Sequence, residues 1–324
     1  MLSPNRAYAI GASGVVISRG TSAVAGVVSL WLLARILTTE QLAGYVVAMS
    51  ILTLIGYNAG LAIERAMVLR LAALPVSPDY LAGRRMMLRT LLVTVALSLF
   101  SMGAVVAYAK AGDDTGAWLI VMAPMIPAIT AGITLAAWYH ANHRVGTSVM
   151  MQGVTDGTRC LFFIFVFWAS LGPTAVAYSA VFATALPIFI LTFMAIGKSG
   201  AAPCNLRISD LGAGMQFFVI RLSQMGLRQF DILIVGLFTG PLETAQYAIA
   251  ARMSNIASVG HSAFSTTYIP RLRRHLASED QSAIQSEFEA ARMLAFLMTF
   301  AAALVCYLYG EAVLGLFGDF KSGY

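Results

Sequence analysis

The feature that most constrains this chain is a series of nine apolar runs, each of roughly 20 residues or more. A helical run of that length matches the ~30 Å hydrocarbon core of a bilayer, because a helix rises ~1.5 Å per residue. Only 11% of the residues are charged, against about a quarter in soluble domains. The pattern predicts an all-α, polytopic membrane protein. The runs cover 10–37, 41–69, 87–109, 117–139, 148–170, 174–196, 211–239, 244–269 and 292–314.

The basic residues between these runs are distributed asymmetrically. Alternate connections hold twelve Lys and Arg on one side and three on the other. Because the cation-rich side is normally cytoplasmic, we expect the N-terminus in the cytoplasm and the C-terminus, after nine spans, outside. The net charge of +6 therefore reflects topology and does not indicate nucleic-acid binding. The three cysteines are far apart and lack metal-ligand spacing, so we expect neither a metal site nor a cofactor.

The seventh run carries a polar stripe within its apolar sequence. Arg221, Gln224, Arg228 and Asp231 follow at i, i+3, i+7 and i+10, so they share one helix face. Charges at membrane depth are costly and normally face a bundle interior or a watery cavity. The stripe therefore predicts one wall of a polar cavity. The alternative is an internal ion pair between Arg228 and Asp231 that only locks helices together.

Further polar residues lie in other runs. Arg19 lies in the first run, and Arg252 and Asn255 share one face of the eighth at i, i+3. Two interpretations remain open for Asp231: it pairs with Arg228 or Arg252, or it takes protons or Na⁺ to couple transport. We favour the pair.

Two charged pairs are expected near the cytoplasmic ends of their spans. Glu64 and Arg65 end the second run, where long side chains reach the headgroups, so an ion-pair role is favoured over coupling. Asp156 and Arg159, at i, i+3 in the fifth run, predict a local salt bridge.

A weak internal repeat organises the chain. A shift of 202 residues places Arg19 on Arg221 and Tyr45 on Tyr247, together with the turn between the first two spans. Six spans fill one unit, so two parallel units related by an axis along the membrane normal are expected. We assign 1–200 to the first six-helix bundle and 201–324 to the first three helices of the second. This division predicts that the chain is a fragment or a truncated product.

Three passages resemble a known family. They are LLARILTTEQLAGYVVAMSIL at the first turn, FDILIVGLFTGPLETAQYAIAARM at the start of the second unit, and TTYIPRLRRHL at the end of span eight. They are similar to motifs of the multidrug/oligosaccharidyl-lipid/polysaccharide exporter superfamily, and most closely to its polysaccharide-export branch. The sequence departs from the family by stopping after nine spans, where twelve to fourteen are usual, and by Gln246 where Gly is favoured.

The resemblance implies a bacterial inner-membrane flippase rather than an enzyme. Such a protein moves a polyprenyl-diphosphate-linked oligosaccharide across the membrane by alternating access during surface polysaccharide biosynthesis, in some cases with other assembly proteins as partners. Arg suits the diphosphate because its planar fork donates several hydrogen bonds and stays charged. Arg19, Arg221 and Arg228 are then expected to face one another across a central cavity.

Other classes stay open. A cation-coupled multidrug exporter of the same superfamily would need acidic residues in the first bundle, where the membrane acids are only Glu64 and Asp156. A membrane-embedded glycosyltransferase or ligase would need catalytic residues in sizeable external loops. The only external acidic pair, Asp113 and Asp114, lies in a short connection and is typical of a turn. A non-transporting scaffold is a further alternative if the chain is naturally short.

Overall fold

The computed structural model describes residues 4–72, 83–110, 114–142, 145–197, 209–254 and 281–317, and these ranges are helical and contain no strand. The predicted all-α class is therefore confirmed for the described part of the chain. The helices are α1 (Pro4–Ile36), α2 (Thr39–Asn58), α3 (Ile63–Ala72), α4 (Arg84–Ala109), α5 (Asp114–Met122), α6 (Met125–Ala141), α7 (Val145–Trp168), α8 (Pro173–Gly197), α9 (Ser209–Phe238), α10 (241–254) and α11 (Gln281–Phe317).

Several of these helices have the length and composition of membrane spans. Within the described residues, four helices are long and apolar enough to cross a bilayer, and a fifth span is formed if α5 and α6 count as one. Large apolar side chains cover their outer faces, among them Phe100 on α4 and Phe189 on α8, which are 80% and 72% exposed. Such surfaces suit a lipid environment, so the chain is a multi-pass membrane protein.

The prediction of one continuous helix over 41–69 is wrong. α2 ends at Asn58 and α3 begins at Ile63. Between them Leu61 and Ala62 have φ values of 49° and 54°, a left-handed conformation that cannot continue a right-handed helix. Apolar content hid this break, because the residues of the break itself, Ala59 to Ala62, are small or apolar and continue the run.

Two helices, α5 and α6, occupy the run predicted as a span over 117–139. α5 and α6 are bent by 49° at the break between Met122 and Met125. Pro124 lies in the break and precedes the first residue of α6. Because proline has no N–H to donate, the break falls where the helical hydrogen-bond ladder would be interrupted in any case.

The two helix turns related by the repeat have the same spacing. α1 ends at Ile36 and α2 begins at Thr39, while α9 ends at Phe238 and α10 begins at 241, and both ends differ by 202 residues. In the first turn Thr38 accepts a hydrogen bond from the Gln41 N–H at 3.3 Å and its own N–H donates to the Gln41 side chain at 3.2 Å. This capping box starts α2. The division into two six-helix units stays a prediction.

α1 and α7 approach closely through a glycine. The Ser18 hydroxyl donates to the Val149 carbonyl at 3.0 Å, and a Cβ added to Gly153 would lie 2.6 Å from the Ser18 Oγ and 3.1 Å from its carbonyl oxygen. A glycine at this position lets the two backbones meet, as is common between membrane helices. The contact fixes the register of α1 against α7.

α9 packs along α2 and α3. At one end, a Cβ on Gly214 would lie 3.3 Å from the Leu61 carbonyl oxygen and 3.6 Å from the Ile63 Cα. At the other end, a Cβ on Gly236 would lie 2.7 Å from the Val47 Cγ2. Two glycines about six turns apart therefore hold α9 against the broken second span.

We predict that Gly153→Ala destabilises the protein by about 1–3 kcal/mol, because its methyl group would overlap Ser18, an overpacking that exceeds the ~1 kcal/mol gain in helix propensity. Gly157→Ala is the matched control one turn along the same helix, where an added Cβ meets nothing within 4 Å. The measurement is thermal unfolding in detergent. A stability of Gly153→Ala equal to or above that of Gly157→Ala would contradict the close contact.

Candidate functional site

A buried ion pair joins α9 to α3. The Arg221 guanidinium contacts the Glu64 carboxylate, and the two residues are 9% and 2% exposed. The same guanidinium donates to the Tyr57 carbonyl at 3.2 Å. Glu64 therefore lies in the protein interior, whereas the sequence placed it near the headgroups. Arg221, predicted as a cavity cation, is paired with an acid from a distant part of the chain.

Arg221 also completes the hydrogen bonding at the end of α2. The last four carbonyls of a helix have no partner within it, and at membrane depth each needs one. The Ile55 carbonyl accepts from the Ala59 N–H at 2.7 Å and the Asn58 carbonyl from the Leu61 N–H at 3.0 Å. The remaining two are satisfied by side chains from other helices: Gly56 by Thr130 at 2.8 Å and Tyr57 by Arg221.

A second polar group lies between α1, α7 and α8. The Ser22 hydroxyl donates to Asp156, and the Arg159 guanidinium lies 3.8 Å from the other Asp156 oxygen. Arg159 also donates to the Thr184 hydroxyl at 3.1 Å. The predicted local salt bridge is thus present. Its predicted place is wrong, because both residues lie near the middle of the 24-residue α7 rather than at its start.

Two tyrosines on α2 lie near this polar group and near arginines of α1, α9 and α10. The Tyr45 hydroxyl lies within electrostatic range of Arg159 and Arg252, and its ring packs edge-on against Trp118 at 5.5 Å. The Tyr57 hydroxyl lies within range of Asp156 and of three arginines, Arg19, Arg159 and Arg228. We call Arg19, Arg159, Arg228 and Arg252 the arginine cluster.

The arginine cluster is weakly neutralised. Among the charged groups of the described residues that act on these two tyrosines there are four guanidinium groups and one carboxylate, that of Asp156. The Nε atoms of Arg19 and Arg159 are buried and have no hydrogen-bond partner within the described residues. Buried donors without partners are costly. Arg19 and Arg159 therefore have hydrogen-bonding capacity that their neighbours among the described residues do not use.

Arg252 and Arg228 retain accessible surface. Arg252 is exposed, yet it lies deep enough in the protein to interact with Arg159, Asp156 and Tyr45. Arg228 is likewise exposed and within range of Tyr57. An accessible charged side chain close to buried polar groups is what an internal, hydrated space requires.

Among the residues that the structure describes, Asp231 has no arginine partner. One carboxylate oxygen accepts from the Tyr247 hydroxyl at 3.1 Å and the other from the Ile232 N–H at 2.8 Å. Since no ion pair links Arg228 to Asp231 in the part of the chain that the structure describes, the expected internal pair is replaced by a carboxylate–tyrosine bond between α9 and α10.

The remaining predicted residues lie at the edge of this arrangement or outside it. Gln224 is exposed on α9, and Arg65 is exposed beside the Glu64–Arg221 pair. Asn255 lies outside the described residues. Within those residues no three His, Cys, Asp or Glu side chains are grouped in a way that could hold a metal ion.

The sequence reasoning missed the contribution of Arg159, Tyr45 and Tyr57. Arg159 was interpreted as a local ion-pair partner because it lies three residues after Asp156. The available signal was its position: it follows Val145, the first residue of α7, by 14 residues, which is ~21 Å into the span. The two tyrosines gave no comparable signal, since tyrosines are common at membrane interfaces.

Solved structures with the same fold are membrane transporters. The chain is similar to the MATE multidrug transporter DinF-BH in complex with R6G, with a TM-score of 0.67 and 13% identity over 97% of this chain and 75% of that one. It is also similar to the inward-facing conformation of a multidrug resistance MATE family transporter of the MOP superfamily, with a TM-score of 0.66 and 14% identity over 94% and 76% of the two chains.

A third structure is a MOP superfamily transporter from Pyrococcus furiosus, described by a reverse polarity of its binding pocket that suggests a different function, with a TM-score of 0.59 and 12% identity over 96% and 74% of the chains. No protein-family model matches the chain, and no curated protein matches it. At these identities the likeness shows the fold: the chain has the all-α fold of the MATE transporters of the MOP superfamily.

We predict that a cysteine at position 252 is accessible from water. In a background without the native cysteines, Arg252→Cys should react with a negatively charged, membrane-impermeant thiol reagent at least about tenfold faster than Ala248→Cys, since thiol reactivity follows exposure. Ala248 lies one turn earlier on α10 and is 1% exposed. Equal, slow labelling at both positions would mean that the accessible surface of Arg252 faces lipid.

Proposed function

We propose that this chain is part of a transporter that moves a polyprenyl-diphosphate-linked oligosaccharide across a bacterial inner membrane for surface polysaccharide biosynthesis. The observation that carries the proposal is the excess of guanidinium groups in the arginine cluster over the single carboxylate of Asp156. The fold supports transport in general, since the named neighbours are transporters. The cluster supports the anionic class of cargo.

The chemistry of such a cargo matches the cluster. A diphosphate presents several acceptor oxygens and a charge that is costly to bring into a membrane. Arginines bind it through paired, charge-assisted hydrogen bonds. The Nε atoms of Arg19 and Arg159 are buried donors without a partner within the described residues, and an opening of the site would make them available to such a group. Asp156 lowers the net charge, which favours release, because a site that binds too tightly would trap its cargo.

The position of the cluster fits movement of the cargo between two sides. Arg19 and Arg159 belong to α1 and α7, in the unit assigned to 1–200, whereas Arg228 and Arg252 belong to α9 and α10, in the unit assigned to 201–324. A ligand held between the units is the arrangement expected for alternating access, in which one bundle rocks against the other around a fixed site. Gln224, on the same face of α9 as Arg228, extends the proposed site.

A second candidate function is export of drugs. Both neighbours with the higher TM-scores are named as multidrug transporters, which supports this alternative more directly than the flippase proposal. Within the chain, the Asp156 carboxylate beside Ser22 is a group that a cation would bind. Against it stands the positive excess around that carboxylate, which repels a cationic compound. The Pyrococcus furiosus transporter is described by a reverse pocket polarity, so fold alone does not decide between the two.

We predict that Arg159→Gln and Arg252→Gln each reduce transport of a polyprenyl-diphosphate-linked oligosaccharide by about tenfold or more, since a charge-assisted hydrogen bond contributes about 1.5–3 kcal/mol. The assay is movement of a fluorescent lipid-linked oligosaccharide between leaflets of proteoliposomes that contain the full-length transporter. The corresponding Lys variants should retain part of the activity, because they keep the charge and lose the planar fork.

Lys110→Gln is the matched control. It removes one positive charge at the end of α4, where the side chain is exposed and outside the cluster. It should leave the rate unchanged. R6G, the compound bound in one neighbour structure, tests the alternative: flux of R6G that rises in Arg159→Gln, with no oligosaccharide movement in the parent protein, would support drug export and overturn the flippase proposal.

A further inference from the structure

We propose that Glu64 and Arg221 form a gate lock, an ion pair that holds α9 closed against the break between α2 and α3 and that must open during transport. This inference rests on the proposed transport function for its role. The contacts of the ion pair, which support the inference, are independent of that function.

Arg221 is the partner of two groups at once. It neutralises the Glu64 carboxylate and donates to the Tyr57 carbonyl at 3.2 Å. When α9 moves away, an acid on α3 and a helix-end carbonyl on α2 lose their partner together. Both are unfavourable at membrane depth unless water enters, so the contact favours a closed state.

The other carbonyls at the end of α2 do not depend on α9 for a hydrogen-bond donor. Gly56 is held by Thr130 on α6, and Ile55 and Asn58 accept from backbone N–H groups of the break. The break therefore remains hydrogen bonded without α9, apart from the Tyr57 carbonyl. This arrangement lets α9 separate as a unit from a scaffold that keeps its own structure.

The Glu64–Arg221 pair joins the two proposed bundles. Glu64 lies on α3 in the unit 1–200, and Arg221 lies on α9 in the unit 201–324, 157 residues apart in the chain. About two turns before Arg221 on α9, Gly214 approaches the same break closely, since a Cβ added there would lie 3.3 Å from the Leu61 carbonyl oxygen and 3.6 Å from the Ile63 Cα. Rocking of one bundle against the other at this end would break the pair and open the contact at Gly214 together.

The test measures how often this contact opens. A cysteine in place of Ile63, which is 2% exposed, is labelled by a soluble thiol reagent in a cysteine-free background. Glu64→Gln and Arg221→Gln should each raise the labelling rate about tenfold, within the usual range for coupled sites. Exchanging the charges, Glu64→Arg with Arg221→Glu, restores the ion pair but not the hydrogen bond to the Tyr57 carbonyl, so it should return the rate only part of the way to that of the parent.

Leu52→Cys is the matched control position. Leu52 is fully buried on α2, in the main apolar core and away from the break between α2 and α3, so its labelling should change less than about twofold, as expected for a site outside the coupled contact. An unchanged rate at position 63 in both single variants overturns the lock. An equal rise at positions 52 and 63 also overturns it, since that result means general loosening.

A second variant keeps the proposal testable if the single substitutions fail to fold. Ile63→Cys with Gly214→Cys places two thiols at a contact where the added Cβ lies 3.6 Å from the Ile63 Cα. Oxidation of this pair should stop transport of the lipid-linked oligosaccharide, and reduction should restore it. Full transport by the cross-linked protein overturns the lock. The transport assay of the Arg159→Gln variant tests the proposed function and does not depend on the labelling or cross-linking results. The proposed function and the gate lock can therefore fail separately.

Discussion

The structure depends on the rule that a charge or a free backbone carbonyl within a membrane needs a partner in the protein. Arg221 satisfies this rule for Glu64 and for the end of α2, and Asp156 is held by Ser22 and Arg159. These contacts decide where helices can break and which faces can turn inward. The arginines of the arginine cluster have fewer partners than this rule requires. Charged groups of this kind within a membrane are where function is expected.

The break between α2 and α3 connects the fold to the proposed function. A continuous helix would present no free carbonyl to Arg221 and would place Glu64 on another face. The left-handed residues Leu61 and Ala62 turn the chain so that Glu64 points at α9. Backbone conformations of this kind are uncommon for such residues and are retained where the surroundings hold them. The hydrogen bonds from Thr130 and Arg221 provide that support.

Sequence reasoning predicted the class of fold and the repeat of the first turn, because both depend on patterns along the chain. It also found the intramembrane arginines, since a charge in an apolar run is visible in any sequence. It found the local partner of Arg159, which is Asp156, but not the distant partner of Arg221. The Glu64–Arg221 contact spans 157 residues, and no local pattern encodes it. The break after Asn58 was missed for a related reason: Ala59 to Ala62 are as apolar as a helix requires, and tertiary contacts decide their conformation.

The 202-residue shift matches two arginines whose surroundings differ. Arg221 is held by the Glu64 carboxylate, whereas the Arg19 Nε is buried without a hydrogen-bond partner in the described part of the chain. If the two assigned units are related as the shift predicts, their matching arginines have separate roles. A change at Arg19 would then alter what the proposed site can hold, and a change at Arg221 would alter which shape the proposed lock favours.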